Sequence, residues 1–131
     1  MDNEIFMKDF YRYAPEMREM IEQHFKDGHI DMSDGEFIVW GVGVMDCVMV
    51  LMREASKHSQ TLDRVFLFME YMAQQDEEIK GLLISTYDCF LNEEQVIPEA
   101  LSRMGPETRK FWNQYVEHLR QFRLWKLSQL Q

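Results

Sequence analysis

The side chains that most often carry out covalent chemistry are sparse in this sequence. The two cysteines, Cys47 and Cys89, lie in apolar stretches with no Lys, Arg or His beside them. A reactive thiol needs a neighbour that stabilises the thiolate. We therefore expect both cysteines to be reduced, buried and inert, behaving as small apolar side chains. Two cysteines are also too few for a disulfide framework.

Histidine is the next candidate, as a metal ligand or a proton carrier. The four histidines are His24, His29, His58 and His118, of which His24 lies on an apolar helical stripe and is expected in the core. Only Glu54 and His58 have the i, i+4 spacing that places an acid and a histidine on one helical face. Glu-x-x-His, His-Glu-x-x-His and Cys-x-x-Cys spacings do not occur. We expect no metal and no other cofactor.

The sequence also lacks the motifs of common catalytic sites. Gly41 and Gly43 lie inside an apolar run, without the strand–turn–helix context of a phosphate-binding loop. No Gly-x-Ser-x-Gly elbow is present. Carboxylate pairs alone do not indicate a hydrolase without pocket geometry. We expect that the protein is not an enzyme; a catalytic or small-molecule-binding bundle would need a deep pocket with converging polar groups.

Carboxylates are the abundant chemical group. The 131 residues carry 23 Asp and Glu against 14 Lys and Arg, a net charge of −9. Residues 70–99 hold eight acids and one base, whereas residues 100–131 hold six bases and two acids. Nucleic-acid binding depends on neutralising phosphates, so direct contact with nucleic acid is not expected. An acidic surface instead suits a basic protein partner.

Apolar residues recur almost everywhere with the 3.6-residue period of a helix. The expected fold is all-α: a single domain, residues 1–131, of six or seven mostly antiparallel helices, with a short solenoid of helix pairs as a variant. The apolar run 37–52 should form the central helix, which begins near Asp34 because Ser33 and Glu36 have capping-box spacing. The predicted helices cover residues 3–11, 15–27, 34–56, 61–73, 76–91, 93–104 and 107–127.

Two of these helices combine apolar and acidic positions. Glu77, Ile84 and Asp88 share the face of the fifth helix opposite its apolar stripe, and Leu67 and Tyr71 fall outside the stripe of the fourth. Aromatic and apolar groups among charges are typical of protein interfaces. The predicted partner-binding residues are Leu67, Glu70, Tyr71, Asp76, Glu77, Glu78, Ile84, Asp88, Glu93 and Glu94. The simpler alternative is a solvated acidic face in which some acids complement helix dipoles.

The last helix is basic where the rest of the chain is acidic. Its apolar stripe predicts that Phe122 faces the core, just as the first helix predicts Ile5 inward. Arg109, Arg120 and Arg123 lie close together on the helical wheel. They are expected either to pair with the acidic helices or to complement the helix C-terminus.

The stretch from Asp76 to Arg109 reads DEEIKGLLISTYDCFLNEEQVIPEALSRMGPETR. An acidic helix start, an apolar run ending at Tyr-Asp, an acidic break and a short helix closed by Gly-Pro together resemble a family of small bacterial all-helical proteins of undefined function. In size, acidity and helix content the chain also resembles, by type, immunity proteins that neutralise contact-dependent or secreted bacterial toxins. That resemblance implies tight binding to a cognate toxin in the cytoplasm, and it carries over no catalytic residue.

Two functions follow as expectations. The first is an immunity protein that binds a basic toxin, such as a nuclease, and occludes its active site. The alternative is a regulatory adaptor or homodimeric helical scaffold that uses exposed apolar residues: Leu67, Tyr71, Leu124, Trp125 and Leu127. A monomer or weak homodimer is expected. The acidic start, residues 1–4, differs from a basic secretory leader, and the 16-residue apolar run is too short for a bilayer, so no membrane partner and a cytoplasmic location are expected.

Overall fold

A computed structural model describes residues 1–130 of the chain. It is 83% helical, and no strand occurs among the described residues. Seven helices follow one another: α1 Asn3–Tyr13, α2 Arg18–Asp27, α3 spanning 36–52, α4 Ser59–Ala73, α5 Glu77–Asn92, α6 Ile97–Arg103 and α7 Pro106–Ser128. Short 3₁₀ turns at Pro15–Met17, Ala55–Lys57 and Glu94–Val96 precede α2, α4 and α6. The all-α bundle expected from the sequence is confirmed.

Several helix boundaries have local causes that the sequence shows directly. The carboxylate of Asp76 accepts a hydrogen bond from the Ile79 N–H at 3.1 Å and caps α5, as its position predicts. Pro106 occupies the first turn of α7, where its missing N–H costs nothing. The predicted capping box at Ser33 and Glu36 is wrong. Ser33 donates to Asp31 instead, and Gly35 precedes α3 without a side-chain cap.

The buried side chains form one contiguous cluster. At its centre Trp40 packs edge-on against Phe6 and Phe10, with ring centroids 5.7 and 5.8 Å away. The indole N–H of Trp40 donates to the Thr86 hydroxyl at 2.8 Å, and both residues are fully buried. This bond satisfies the polar edge of the largest core side chain, which would otherwise cost free energy on burial.

The helix expected at the centre, α3, shares that position with α4. Helix α4 packs against α1, α3, α5, α6 and α7, whereas one edge of α3 stays in solvent. That edge exposes about half of Phe37, Ile38, Val42 and Val50. The apolar run of α3 therefore does not mean burial on every side, because no other helix of the described chain covers this edge. We call these four residues the apolar ridge.

The middle of α3, Val39–Val44, is a π-helical segment. Its two glycines face opposite neighbours. A Cβ on Gly41 would lie 3.1 Å from the side chain of Ser85 in α5, and a Cβ on Gly43 would lie 2.2 Å from the ring of Phe25 in α2. The absent side chains let α5 and α2 approach α3 on either side of the ridge.

Two apolar residues expected in the core are exposed. Ile5 in α1 is 59% exposed and Phe122 in α7 is 52% exposed. Both predictions were wrong for the same reason: a helical stripe predicts which face of a helix is apolar, but burial also requires a neighbour at that point along the helix. No helix within the described chain is both long enough and apolar enough to cross a membrane.

The glycine contacts generate a stability prediction with a matched control. Gly43→Ala should destabilise the fold by about 1–3 kcal/mol, because the new methyl group overpacks the contact with Phe25. Gly81→Ala is the control, since a Cβ there meets nothing within 4 Å. It lies within α5 and should stabilise the fold by about 0.5–1 kcal/mol. Urea unfolding followed by circular dichroism measures both changes. Equal effects of the two substitutions would contradict the packing argument.

Candidate protein-interaction surfaces

The ten residues predicted to bind a partner extend along the length of one helix. They start in α4, run along α5 and end in the turn after it. Helix α5 has 16 residues and is therefore about 24 Å long, so Asp76, Glu77 and Glu78 lie at one end of it and Glu93 and Glu94 at the other. A contact with all ten would extend along the whole of α5.

Glu70 holds the start of α7. Its carboxylate accepts hydrogen bonds from the N–H groups of Glu107 and Thr108 at 3.0 and 2.9 Å, and from the Thr108 hydroxyl at 2.7 Å. The N-cap residue of α7, Gly105, has no side chain, and a Cβ there would lie 2.6 Å from the Glu70 carboxyl. Burial opposes ionisation of Glu70, but these donors outweigh it and the pKa is lowered. A carboxylate from α4 thus caps α7 and complements its dipole.

Glu93 is also engaged within the chain. Arg53, just beyond α3, donates to its two carboxylate oxygens at 2.7 and 3.0 Å. Hydrogen bonding from Arg53 lowers the pKa of Glu93. The pair ties the end of α3 to the turn after α5. Glu93 is therefore committed to an intramolecular contact.

Three more of the acids are engaged within the chain. Asp76 caps its own helix, as described above. Glu78 pairs with the amino group of Met1 at 2.9 Å, and Asp88 accepts a hydrogen bond from the Tyr115 hydroxyl at 2.5 Å. Within residues 1–130, Glu77 and Glu94 alone among the seven acids predicted to bind a partner have no hydrogen-bond or ion-pair partner.

The apolar members of the predicted set differ in exposure. Leu67 is 60% exposed, as predicted. Tyr71 is half-buried, with its ring 5.7 Å from Phe68 and 6.2 Å from Tyr13, and Ile84 is half-buried as well. Tyr71 therefore contributes more to packing between α1 and α4 than to a free surface.

The largest exposed apolar surface lies on the last part of α7. Thr108 and Trp112 are buried, and Tyr115 packs on Tyr87 with centroids 6.1 Å apart. Every residue from Arg120 to Leu130 is exposed. We call residues 120–130 the projecting segment. Its large apolar side chains are between 49% and 80% exposed: Phe122, Leu124, Trp125, Leu127 and Leu130.

The charges of the projecting segment differ from those of the remaining chain. It holds Arg120, Arg123 and Lys126 and no acid. Arg120 pairs with Glu117 one turn earlier at 2.7 Å, whereas Arg123 and Lys126 have no ion-pair partner within residues 1–130. Of the three arginines expected to pair with the acidic helices, Arg109 donates to the Leu101 carbonyl at 3.4 Å, Arg120 pairs within its own helix, and Arg123 has no ion-pair partner inside the described chain. Residues 1–119 carry 23 acids and 11 bases, a net charge of −12.

The apolar ridge of α3 is the second exposed apolar surface. Val50 lies between two shallow depressions of about 390 and 230 Å³. The first is shared with Cys89 and Asn92 of α5, and the second with Met20 and His24 of α2. Asp46, one turn from both Val42 and Val50, borders both depressions and lies 3.1 Å from the His24 imidazole.

The two cysteines and His24 differ in how far the fold buries them. Cys47 is buried, and burial raises the pKa of its thiol to about 11. Cys89 is half-buried rather than buried, and burial again raises its thiol pKa. His24 is half-exposed beside Asp46 rather than in the core. Within residues 1–130, no three His, Cys, Asp or Glu side chains lie together in a way that could hold a metal ion.

Glu70 gives a prediction with a pH signature. Glu70→Gln should lower the free energy of unfolding at neutral pH by about 1 kcal/mol, because a charged cap of α7 is lost. The folded-state pKa of Glu70 lies below its ordinary value of 4.5. Its contribution is therefore present above pH 4.5 and lost as the pH falls through the folded pKa.

The measurement is thermal unfolding of the wild type and Glu70→Gln between pH 3 and pH 7. The two curves should converge at the acid end. Glu77→Gln is the control, since Glu77 also lies in the first turn of a helix but accepts no hydrogen bond within the described chain, and its effect should be smaller than that of Glu70→Gln. A constant offset for Glu70→Gln across the whole range would contradict the role of the ionised carboxylate.

Comparisons of the chain with protein-family models, curated proteins and solved structures give no match.

Proposed function

We propose that the protein functions by binding another protein chain, and that the projecting segment of α7 is its binding element. The observation that carries this proposal is the exposure of five large apolar side chains over nine consecutive residues, from Phe122 to Leu130. Single exposed apolar residues are normal on a protein surface. A contiguous set with two aromatic rings is typical of an interaction site.

The residue types of the segment support this role. Phe122 and Trp125 lie with ring centroids 5.9 Å apart and form a rigid aromatic pair. Trp and Arg are the residues most enriched among those that dominate binding energy. Covering the 58% of Trp125 that is exposed would contribute about 3 kcal/mol from apolar area alone. The pair would anchor an interface, with Arg123 and Lys126 at its rim.

The charge of the segment defines the chemistry of its partner. Three bases and no acid favour an acidic surface that also offers apolar contacts. The dominant attraction would be apolar burial, and the bases would accelerate association and set orientation. Neither contact requires chemistry by this chain, so we propose an interaction domain rather than an enzyme.

Site-specific photo-crosslinking tests the proposal. A photoreactive residue at position 125 should crosslink one defined protein in the producing cell, and the same residue at position 67 should not. Leu67 is the matched control because it is equally exposed, at 60%, but lies on α4. Adding Phe122→Ala should reduce the crosslink at position 125. Crosslinking of equal yield and pattern at both positions would overturn the proposal.

A second candidate is the immunity protein, in which the acidic body binds and occludes a basic toxin, such as a nuclease, in the cytoplasm. The observation that favours it is the net charge of −12 on residues 1–119, together with the unpaired carboxylates of Glu77 and Glu94. Since Glu70, Glu93 and Asp88 are engaged within the chain, the contact would centre on the acids that remain unpaired. At the start of α5, where Asp76 caps the helix and Glu78 pairs with Met1, Glu77 is the acid that stays unpaired.

The immunity-protein candidate predicts strong salt dependence of binding. Association with a basic toxin domain should slow by roughly tenfold or more between 50 and 500 mM salt, since steering between opposite charges is screened. Glu77→Lys should slow association further, while leaving dissociation nearly unchanged. Stopped-flow fluorescence measures both rates. An association rate independent of salt would contradict this candidate.

A further inference from the structure

Among the described residues, 1–130, the projecting segment and the apolar ridge are apolar surfaces without a covering element, and the charges around them are opposite. The projecting segment is basic. The apolar ridge of α3 is bordered by carboxylates: Asp46 lies between Val42 and Val50, and Asp27 lines the depression on the α2 side. On the α5 side the one base, Arg53, is paired with Glu93. An apolar surface edged with acids is the kind of partner that the projecting segment fits.

We propose that the projecting segment of one copy docks on the apolar ridge of a second copy, and that the second copy's segment docks on the first copy's ridge. This inference rests on the proposed function, because it names the partner of the same binding element. Phe122 and Trp125 contact the ridge around Val42 and Val50. Arg123 and Lys126 lie close to Asp46 and the neighbouring carboxylates.

The charges argue against pairing of two projecting segments with each other. Such a contact would bring Arg120, Arg123 and Lys126 of both copies together without an acid inside either segment, and like charges in contact are unfavourable. Two ridges in contact would likewise oppose Asp46 to Asp46. Docking of a projecting segment on an apolar ridge is the arrangement that brings opposite charges together.

The projecting segment cannot cover the apolar ridge of its own copy. Helix α7 is continuous from Pro106 to Ser128, so the projecting segment extends rigidly from the packed part of the helix. All residues from Arg120 to Leu130 are exposed, which means that none packs on the body of the same copy. A second copy supplies the missing neighbour for both surfaces.

The reciprocal arrangement also gives sufficient area. The projecting segment is 11 residues, or about 16 Å of helix, and a single contact of that size is smaller than most stable interfaces. A two-fold axis uses each surface once on each copy, so two identical contacts form at once. Together they approach the roughly 800 Å² per partner of a standard interface.

Sedimentation velocity of the full chain tests for the dimer. The wild type should pass from monomer to dimer with increasing concentration, and the dissociation constant should rise with salt. Trp125→Ala in the segment should weaken the dimer at least tenfold. Val50→Lys in the ridge should do the same, by repelling Lys126. Ile5→Ala is the control, because Ile5 is 59% exposed on α1 and belongs to neither surface, and it should leave dimerisation unchanged. Unfolding midpoints verify that each variant is folded; should Val50→Lys fail to fold, Val50→Ala replaces it and weakens the dimer by a smaller factor.

A mixing experiment distinguishes this contact from every symmetric alternative. In a 1:1 mixture of Trp125→Ala and Val50→Lys, one of the two contacts joins an intact ridge to an intact segment, whereas each variant alone has both contacts damaged. The mixture should therefore associate more strongly than either variant alone and less strongly than the wild type. If the segments paired with each other, Val50→Lys alone would dimerise like the wild type, and if the ridges did, Trp125→Ala alone would. A mixture that associates no more strongly than the separate variants overturns the proposal, as does either variant that dimerises like the wild type.

The experiments distinguish failure of the self-docking inference from failure of the proposed function. If the wild type remains monomeric up to about 100 μM, well above the dissociation constants of specific weak dimers, self-docking is overturned. Photo-crosslinking at position 125 to a different protein would then leave the proposed function intact. No crosslink of any kind at that position would overturn both.

Discussion

The placement of α7 depends on one contact: the carboxylate of Glu70 in α4 accepts hydrogen bonds from the first turn of α7. Gly105 leaves the N-terminus open, and Glu70 closes it from α4 with two backbone hydrogen bonds. A further hydrogen bond, from the Tyr87 hydroxyl to the Thr108 carbonyl at 2.8 Å, holds the same turn against α5. Because a long helix is stiff, fixing its first turn also fixes where its far end projects. The exposed surface thus depends on a contact about 20 Å away along the helix.

Many of the carboxylates that give the chain its negative charge are engaged in contacts within the fold. Glu70 and Asp76 cap helices, Glu93 binds Arg53, and Asp88 binds Tyr115. Most of these contacts lie at the protein surface, where they hold helix ends and neighbouring elements together. In the projecting segment Arg120 pairs with Glu117 one turn earlier, whereas Arg123 and Lys126 have no ion-pair partner within residues 1–130. Engaged and unpaired charges can share an element, since α5 carries both Asp88 and the unpaired Glu77.

The second exposed surface also has a packing cause. Gly41 and Gly43 let α5 and α2 approach the two sides of the π-helical segment, and the flanking helices leave the outer edge between them uncovered. Val42 lies on that edge because its neighbours on either side are the two contact glycines. The same local sequence that permits close packing in the core thus produces the apolar ridge.

The sequence by itself determined the helices, their order and most of their ends, because these depend on local periodicity, on Pro106 and on the Asp76 cap. It also determined that Leu67 and Trp125 would be exposed. Tertiary structure decided the rest. From its residue type Glu70 would be a surface acid, but it caps a helix that starts 37 residues later in the sequence. From the apolar stripe Phe122 would be a core residue, but it extends past the last neighbouring helix. Whether a side chain is buried or paired depends on which other element lies beside it in the fold, and the sequence of a single helix does not determine that.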